Sequence, residues 1–552
     1  MKIIEKIIGD IKNQKMTFSE WILGFCGILF VRFILESLSS PTYSGIIPSD
    51  PFTLVHYSLY FLTVTLGTIF IFGYFTNDYK NSFKIILFGL PLIWLAPVID
   101  LTTSRGVGLK MSYVFDSGKN LIFDFFTFFG PVLTKGATLG IRVGIALSLF
   151  GIGYLIWKDS KKIGRSLIGV LLIYCFVFLL AVLPGLIYTV THMGSSTVVS
   201  SEIVSYFENI ILKSTISHNT LREGISSVSD IRFLELGFNK LLSQILFILS
   251  CLIALLLFWK LDSKKFGAVL KNIRPERINF YTISLLCGIG FAYINRLGNP
   301  FFWTDSFGFI CLFISWTALW MNAVHLNDIY DIDVDKISNK ERPLVKNELN
   351  LEEMKDVSYL WLGVGLLGAW SAGFYPFFMA LVYISCSYIY SVPPLRLRRF
   401  PLIPSFLIGV ACLATILAGF FFVSINKEIQ TFPMLLSIGI IIMVTLAINF
   451  KDIKDIESDR ANGIMTIPNL FPKNGVKVVA ILFSLSILLV PIFLYFYLLY
   501  VIAIPASIVG YKLIVRKPYV EKYIFILRFF FLFGIAVSYL LVFWLAGVYN
   551  LI

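Results

Sequence analysis

Long apolar runs, separated by short polar segments, follow one another along almost the whole chain. A run of about 20 apolar residues is long enough to cross the roughly 30 Å hydrocarbon layer of a membrane as a helix. The pattern predicts six crossings in the first half of the chain, at 20–38, 54–75, 83–101, 138–157, 166–191 and 241–259. It predicts nine in the second half, at 279–295, 305–326, 357–373, 375–390, 403–424, 432–449, 476–492, 494–512 and 524–547. We therefore expect an all-α, polytopic membrane protein.

The composition supports this interpretation. Of the 552 residues, 57% are hydrophobic and 14% are charged, whereas soluble domains carry roughly 25% charged residues. The seven cysteines lie in apolar segments, without a CxxC pair or a metal-ligand spacing, so we interpret them as small apolar residues. The net charge of +13 comes from basic residues in short loops. The positive-inside bias of membrane proteins explains it, and nucleic acid is not an expected partner.

A strongly basic segment marks the expected domain boundary. Residues 260–277, KLDSKKFGAVLKNIRPER, carry six Lys or Arg residues and are predicted to be a cytoplasmic linker. We expect a helical membrane domain of unknown role at 1–259 and a second domain at 278–552. Counting spans from the linker places three polar segments on the same cytoplasmic side of the cell membrane, namely 327–350, 390–402 and 450–475.

The first half of the chain contains a short apolar stretch and a cationic residue inside an apolar segment. The apolar stretch 120–134 is short and contains Asp124, so we expect a re-entrant or interfacial segment there. This choice also keeps the basic loop 158–165, KDSKKIGR, on the cytoplasmic side. Arg142 lies in an apolar segment and is expected to pair with Asp100 or Asp124 inside the bundle; the alternative is a second substrate or partner site.

Negative charge is concentrated directly after two of the predicted spans. Residues 327–335 read NDIYDIDVD, and residues 451–460 read KDIKDIESDR. Spacings of three and four residues place such side chains on one face of a helix. We name them the first acidic cluster, Asn327, Asp328, Asp331 and Asp335, and the second acidic cluster, Asp452, Asp455 and Asp459. DIDVDK and DIESDR both read Asp-Ile-acid-x-Asp-cation, where x is any residue, which indicates a faint internal repeat.

Carboxylates at these spacings repel one another, and a membrane boundary strengthens the repulsion through desolvation. A divalent cation with oxygen ligands would offset it, and Mg²⁺ typically binds through one or two carboxylates together with substrate phosphates. The alternative is that each cluster is a solvated acidic loop at a helix end. Two matching clusters on one side of the membrane favour a functional site.

A basic loop, YSVPPLRLRRFP at 390–401, lies on the same predicted side. Pro393 and Pro394 end the preceding helix, and Arg396, Arg398 and Arg399 follow. Guanidinium groups match phosphate oxygens bidentately. Three arginines in a cytoplasmic loop are by themselves typical of membrane topology alone. Together with two acidic clusters, they indicate a metal–diphosphate site.

These three motifs resemble those of the UbiA superfamily of intramembrane prenyltransferases. NDIYDIDVD matches the family pattern NDxxDxxxD, and it is followed by Lys336, Arg342 and Pro343. KDIKDIESDRANGIMTIP resembles the second family motif, and YSVPPLRLRR resembles the loop between the fourth and fifth helices. The resemblance covers about 275–552 and implies a nine-helix bundle with a central cavity, preceded here by an extra helical domain of about six spans.

The resemblance also implies a set of site residues. It implies one Mg²⁺ held by Asn327, Asp331 and Asp335, a second held by Asp455 and Asp459, and supporting roles for Asp328 and Asp452. Four of these, Asp331, Asp335, Asp455 and Asp459, are the expected catalytic residues. The expected substrate-binding residues are Lys336, Arg342, Tyr390, Arg396 and Arg398.

The implied function is Mg²⁺-dependent transfer of a prenyl group from a polyprenyl diphosphate to an acceptor within the membrane. The expected acceptor is a quinone or aromatic precursor or a lipid glycerol phosphate, which indicates lipid or quinone biosynthesis. The resemblance also leaves open a tetrapyrrole, or a phosphoribosyl donor paired with polyprenyl phosphate. The sequence leaves the acceptor, the prenyl chain length and the oligomeric state open. The alternative is a cation-coupled transporter with paired carboxylates. It predicts acidic residues near the bilayer midplane, whereas these follow full-length spans.

Overall fold

The computed structural model of the protein describes residues 2–39, 51–106, 118–130, 137–192, 200–216 and 230–549. These residues form helices and no β-strand, apart from an isolated antiparallel bridge between Gly298 and Ser424. Thirteen of the described helices are long and apolar enough to cross a membrane. The chain is therefore an all-α, multi-pass integral membrane protein, as the hydrophobic pattern predicts.

The described helices pack into two units, one formed by residues 1–266 with 300–311 and the other by residues 267–299 with 312–552. We call them the N-terminal unit and the C-terminal unit. Helix Ser263–Lys271 contains the point where the chain passes from the first to the second. The boundaries expected from the sequence, with a linker at 260–277, stay a prediction.

The N-terminal unit is built mostly from long apolar helices. Its helices are Lys2–Asn13, Phe18–Ser39, Pro51–Thr76, Tyr79–Gly89, Leu95–Thr103, Lys119–Phe126, Leu139–Ser160, Ile163–Ala181, Leu183–Thr191, Ser200–Lys213 and Asp230–Leu261. A core cluster of this unit combines buried aromatic residues, such as Trp21 and Phe72, with buried leucine and isoleucine residues, such as Leu29 and Ile69.

Proline divides two of the predicted spans. The span predicted at 166–191 is two helices, because Pro184 lies at the start of Leu183–Thr191 and cannot continue the preceding hydrogen-bond ladder. The span predicted at 83–101 contains a 3₁₀ turn at Leu90–Trp94, where Pro91 stands in the first turn.

The apolar stretch 120–134, which was expected to be re-entrant or interfacial, contains helix Lys119–Phe126. At 1.5 Å per residue, its eight residues are too few to cross a membrane. Residues 131–134 of the same stretch lie outside the described residues.

Asp100 is not the partner of Arg142. Its carboxylate accepts hydrogen bonds from the Thr138 hydroxyl at 2.5 Å and from the Gly140 backbone N–H at 2.8 Å. Asp100 thus stabilises the start of helix Leu139–Ser160, where backbone N–H groups have no partner within the helix. The Arg142 guanidinium donates to the backbone carbonyls of Phe129, Gly130 and Ala137.

The C-terminal unit contains the motifs. Its helices are Pro275–Ile294, Asp305–Tyr330, Ile332–Ser338, Leu351–Ala372, Phe374–Ser391, Ile403–Val423, Met434–Ala447, Ile456–Ala461, Ile467–Leu470, Gly475–Phe493, Tyr500–Val515 and Glu521–Tyr549. The first residues of Asp305–Tyr330 belong to the N-terminal unit. Two of the nine helices expected here are not among the thirteen span candidates. The apolar part of the first is only 278–294, and Leu351–Ala372 begins with charged residues.

Glycine allows the two helices Pro275–Ile294 and Ile403–Val423 to pack closely. A Cβ atom on Gly288 would lie 1.9 Å from the Ile416 carbonyl oxygen, and one on Gly419 would lie 2.2 Å from that of Leu285. Only glycine fits at such contacts, and membrane helices use small residues in this way because close backbone packing drives their association.

Candidate active site

The first acidic cluster lies where a membrane helix ends. Helix Asp305–Tyr330 stops one residue before Asp331, and the short helix Ile332–Ser338 begins immediately after it. The backbone N–H of Asp335 donates to the carbonyl of Asp331 at 2.8 Å. The cluster therefore spans a helix break and does not lie along one continuous helix.

Asp331 is bridged by two arginines and is only 2% exposed. Arg396 donates to it at 2.8 Å, Arg398 forms a second ion pair with it, and the Asn327 amide donates to it as well. The basic loop thus reaches the first acidic cluster directly. This contact joins parts of the chain more than 60 residues apart.

Asp328 and Asp335 contact a different set of groups. Asp328 accepts hydrogen bonds from Asn272 and Arg274, each at 2.7 Å. Asp335 accepts one from Asn339 at 2.9 Å. The Arg342 Nε atom lies between the two carboxylates, 3.8 Å from Asp328 and 3.9 Å from Asp335.

The second acidic cluster repeats the geometry of the first. Asp455 precedes the short helix Ile456–Ala461, and the Asp459 N–H donates to the Asp455 carbonyl at 2.8 Å. This is the relationship that Asp335 has to Asp331. The two short helices contact each other, so the repeat that is faint in the sequence is a repeat of structure. Gly463, with φ of +66°, ends the second one in a left-handed conformation that favours glycine.

Arg398 connects the two clusters. Its guanidinium pairs with Asp331 and lies 3.7 Å from an oxygen of Asp459. Burial lowers the pKa of Arg398, and the charge of Asp459 opposes that shift. The arginine is therefore held charged by acidic groups from both motifs.

Burial disfavours the charged form of two carboxyl groups in this site. Burial, reinforced by Asp452, raises the pKa of Asp459 to about 7, although Arg398 acts in the opposite direction. Burial and the nearby Asp328 raise the pKa of Asp335 to about 6. The Oδ1 atoms of Asp455 and Asp459 are buried and have no hydrogen-bond partner in the part of the chain that the structure describes.

Both acidic clusters line one polar cavity of about 70 Å³. Asp331 and Asp335 face it from the first cluster, and all three aspartates of the second cluster line it. Its basic lining residues are Arg274, Arg342, Arg398, Lys451 and Lys454. The two motifs, more than 100 residues apart in the sequence, therefore face the same space.

An apolar and aromatic cavity of about 120 Å³ adjoins the polar one. The two cavities share four lining residues, Arg274, Asn327, Tyr390 and Lys451. From there the second cavity extends between membrane helices, where it is lined by Tyr281, Trp320, Tyr383 and Ala411. The arrangement is a charged chamber leading into an apolar one.

Some predicted residues lie in the polar cavity and others do not. Asn327, Arg342, Tyr390 and Arg398 line it. Arg396 acts on it through Asp331, and Asp328 lies beside it among Asn272, Arg274 and Arg342. The structure does not bring Lys336 into the cavity, because this side chain is 60% exposed and pairs with Asp333 at 3.0 Å.

The sequence did not predict several polar residues of the site, among them Asn272, Arg274, Asn339, Lys451 and Lys454. The Lys451 ammonium lies 2.6 Å from Asp452 and 3.5 Å from the Tyr390 hydroxyl. Its position directly before the second acidic cluster was the available signal. Asn272 and Arg274 lie in the basic segment that we interpreted only as a linker.

The donor set fits a divalent cation that is shared with a substrate. Among the described residues, no group of three or more His, Cys, Asp or Glu side chains is arranged to hold a metal ion by itself. Mg²⁺ usually binds through one or two carboxylates and completes its shell with water and substrate phosphates. The buried Oδ1 atoms of Asp455 and Asp459, which accept no hydrogen bond from the described residues, fit that role.

Comparison with known proteins identifies the family of this chain. The model of the UbiA prenyltransferase family matches residues 283–535. A chloroplastic chlorophyll synthase of Avena sativa is 30% identical over 279 residues, which are 46% of this chain and 70% of that protein. The digeranylgeranylglyceryl phosphate synthase of Sulfolobus acidocaldarius is 31% identical over 189 residues, 33% of this chain and 65% of that enzyme.

Among solved structures, a UbiA homologue from Archaeoglobus fulgidus bound to GPP and Mg²⁺ covers 49% of this chain and 97% of its own, with 17% identity and a TM-score of 0.40. The sequence relationships decide between the two functions considered above, since the relatives are enzymes and not transporters. The chain belongs to the UbiA prenyltransferase family, and it is a membrane-embedded prenyltransferase.

Proposed function

We propose that this protein transfers a prenyl group from a polyprenyl diphosphate to a membrane-associated acceptor, and that the reaction requires Mg²⁺. One observation carries the proposal. Two acidic clusters and Arg398 line a single polar cavity, and that cavity adjoins an apolar one. A molecule with a highly charged head and an apolar tail matches this pair of cavities.

The polar cavity would hold the diphosphate. Arg342, Arg398 and Lys451 line it and would donate hydrogen bonds to phosphate oxygens. Asn327, Asp331 and Asp335 would hold one Mg²⁺, and Asp455 and Asp459 a second. When bound, Mg²⁺ neutralises phosphate charge and so makes diphosphate a better leaving group.

The cationic side chains contribute to the reaction itself. As the allylic C–O bond breaks, negative charge grows on the departing diphosphate. Donors that are already fixed in a buried site stabilise this charge more than they stabilise the ground state. Arg398 is fixed by its contacts with Asp331 and Asp459, and Lys451 by its contact with Asp452.

The adjoining apolar cavity would hold the prenyl chain and exclude water from the allylic cation that forms. Tyr281 and Tyr383 lie edge to face there, with ring centroids 5.1 Å apart. Aromatic faces attract cations, so these rings would also stabilise positive charge on the chain. A nucleophilic carbon or oxygen of the acceptor then attacks C1 of the prenyl group.

A third cavity suggests the class of acceptor. It measures about 510 Å³ and shares Arg274, Asn339, Arg342 and Lys454 with the lining of the polar cavity. It carries six basic side chains and two acidic ones, namely Lys271, Arg274, Lys340, Arg342, Lys454 and Lys522 with Glu341 and Glu521. The excess of positive charge favours an acceptor with an anionic head, such as a lipid glycerol phosphate or an aromatic acid.

Relatives are named for acceptors of both kinds, a digeranylgeranylglyceryl phosphate synthase and a homogentisate phytyltransferase. We place the reaction in lipid or quinone biosynthesis. We assign the activity to residues 278–552 and place the site on the cytoplasmic face of the cell membrane, because basic residues surround it. Residues 260–277 would then connect it to a separate domain at 1–259.

The test is a transfer assay. Membranes containing the full-length protein receive isotope-labelled geranylgeranyl diphosphate, Mg²⁺ and, in separate reactions, geranylgeranylglyceryl phosphate or homogentisate. Mass spectrometry of the extracted lipids should show a labelled adduct with one acceptor. Asp455→Asn membranes with equal protein content serve as the control. If no acceptor, including the endogenous membrane lipids, gives a Mg²⁺-dependent labelled product, the proposal is wrong.

A further inference from the structure

The N-terminal unit contains a cavity of about 320 Å³ between its membrane helices. Helices Phe18–Ser39, Pro51–Thr76, Leu139–Ser160 and Ile163–Ala181 all contribute side chains to it. Its lining is largely apolar, with Phe33, Phe61, Ile93, Ile141, Leu149 and Ile173 among the residues. Ligand pockets typically measure about 300–1,000 Å³, so this cavity has the size of a binding site.

A buried ion pair lies in the wall of this cavity. Arg32 and Glu36 are one turn apart on a mostly apolar helix and form an ion pair. Both line the cavity, with side-chain exposures of 8% and 22%. Charged residues within membrane helices are costly and usually mark a binding site or a transport path. Because the two charges cancel, the pair presents a dipole to the cavity.

A hydroxyl in the same wall lacks a partner. Thr65 lines the cavity and is 2% exposed. Its Oγ1 atom has no hydrogen-bond partner among the residues that the structure describes. A buried hydroxyl without a partner is unfavourable, so this atom is available to a polar group of a bound molecule.

We infer that this cavity binds an uncharged lipid alcohol, with a single apolar chain between the helices and a hydroxyl near Arg32, Glu36 and Thr65. A hydroxyl can accept from the guanidinium and donate to the carboxylate at the same time. An anionic head group would be repelled by Glu36, and a cationic head group would be repelled by Arg32. An isoprenoid chain and an acyl chain would both satisfy the apolar lining. This site is independent of prenyl transfer, since its lining residues all belong to the N-terminal unit.

Photo-crosslinking of the full-length protein tests the inference. Diazirine derivatives of farnesol, dodecanol and dodecanoic acid are added separately to the protein in lipid nanodiscs, and labelled peptides are identified by mass spectrometry. We expect one or both alcohols to label peptides from the cavity helices, and the comparison of the two alcohols identifies the preferred chain. Equal labelling by the fatty acid at neutral pH would overturn the inference.

A cavity-filling variant provides the specificity control. Gly144 is buried and lines the cavity, and a Cβ atom there would meet only the Leu92 carbonyl oxygen, at 3.7 Å. Gly144→Leu should therefore occupy cavity space and reduce alcohol labelling by about tenfold. Gly27→Leu is the matched control, because Gly27 is exposed, does not line the cavity and has no atom within 4 Å of its Cβ position among the described residues. Equal labelling of both variants and the wild type would contradict the inference.

A charge variant covers the case in which Gly144→Leu fails to fold. Glu36→Gln leaves Arg32 without its counter-charge. The ratio of fatty-acid labelling to alcohol labelling should therefore rise by about tenfold. An unchanged ratio in a variant that elutes as wild type on size-exclusion chromatography would show that the ion pair does not contact the bound head group.

Discussion

Replacing Arg398 with methionine tests how the two acidic clusters act together. Methionine keeps most of the apolar length of the side chain and removes the charge that contacts Asp331 and Asp459. The protein should still fold, because Asp331 retains Arg396 at 2.8 Å.

The expected loss follows from the position of Arg398 in the polar cavity. Removing one fixed donor from a site where negative charge develops typically reduces kcat by about 10²–10³-fold, or roughly 2.7–4 kcal/mol. We expect a loss of that size in kcat/KM for the prenyl diphosphate. Most of it should appear in kcat, because the charge on the departing diphosphate is largest in the transition state.

The assay measures initial rates of transfer from labelled geranylgeranyl diphosphate to the acceptor that the wild type uses. Arg399→Met is the matched control, since Arg399 is the next residue in the loop and is exposed. Arg398→Lys should recover part of the rate, because it restores charge without the planar fork of donors. The reasoning is refuted if a folded Arg398→Met enzyme stays within about threefold of the wild type, or if Arg399→Met loses as much.

Three further predictions address the metal, the second acidic cluster and the fold. Asp459→Asn should reduce transfer by about 10²-fold or more without lowering the thermal unfolding midpoint, because burial raises the pKa of this carboxyl and so disfavours its charged form. Asp333→Asn, at an 85% exposed side chain, should remain active. Chelation with EDTA should abolish transfer and excess Mg²⁺ should restore it, whereas full activity in EDTA would exclude a metal role. Gly288→Ala should lower the unfolding midpoint, because its Cβ would lie 1.9 Å from the Ile416 carbonyl oxygen. Such overpacking lowers the free energy of unfolding by about 1–3 kcal/mol. Gly290→Ala on the same helix, where no described atom lies within 4 Å, should not, and equal midpoints in the two alanine variants would contradict the packing argument.

The sequence by itself was sufficient to predict that the chain is a bundle of membrane-spanning helices and to locate the acidic motifs. Membrane insertion depends on the apolar length of each segment, which is a local property that can be counted along the chain. Charge spacing is local as well, so the order of residues alone reveals the two acidic clusters and their similarity. The prolines that divide two spans, Pro91 and Pro184, are equally evident in the sequence, although the predicted spans run through both of them.

Only the tertiary structure decided which charges meet. Lys336 lies within the first motif, yet it points away and pairs with Asp333. Arg274 lies more than 50 residues before Asp328 and donates to it. The helix breaks at Asp331 and Asp455 set the directions of the following side chains. Those directions depend on how the two short helices contact each other, and sequence spacing carries no information about contacts between distant segments.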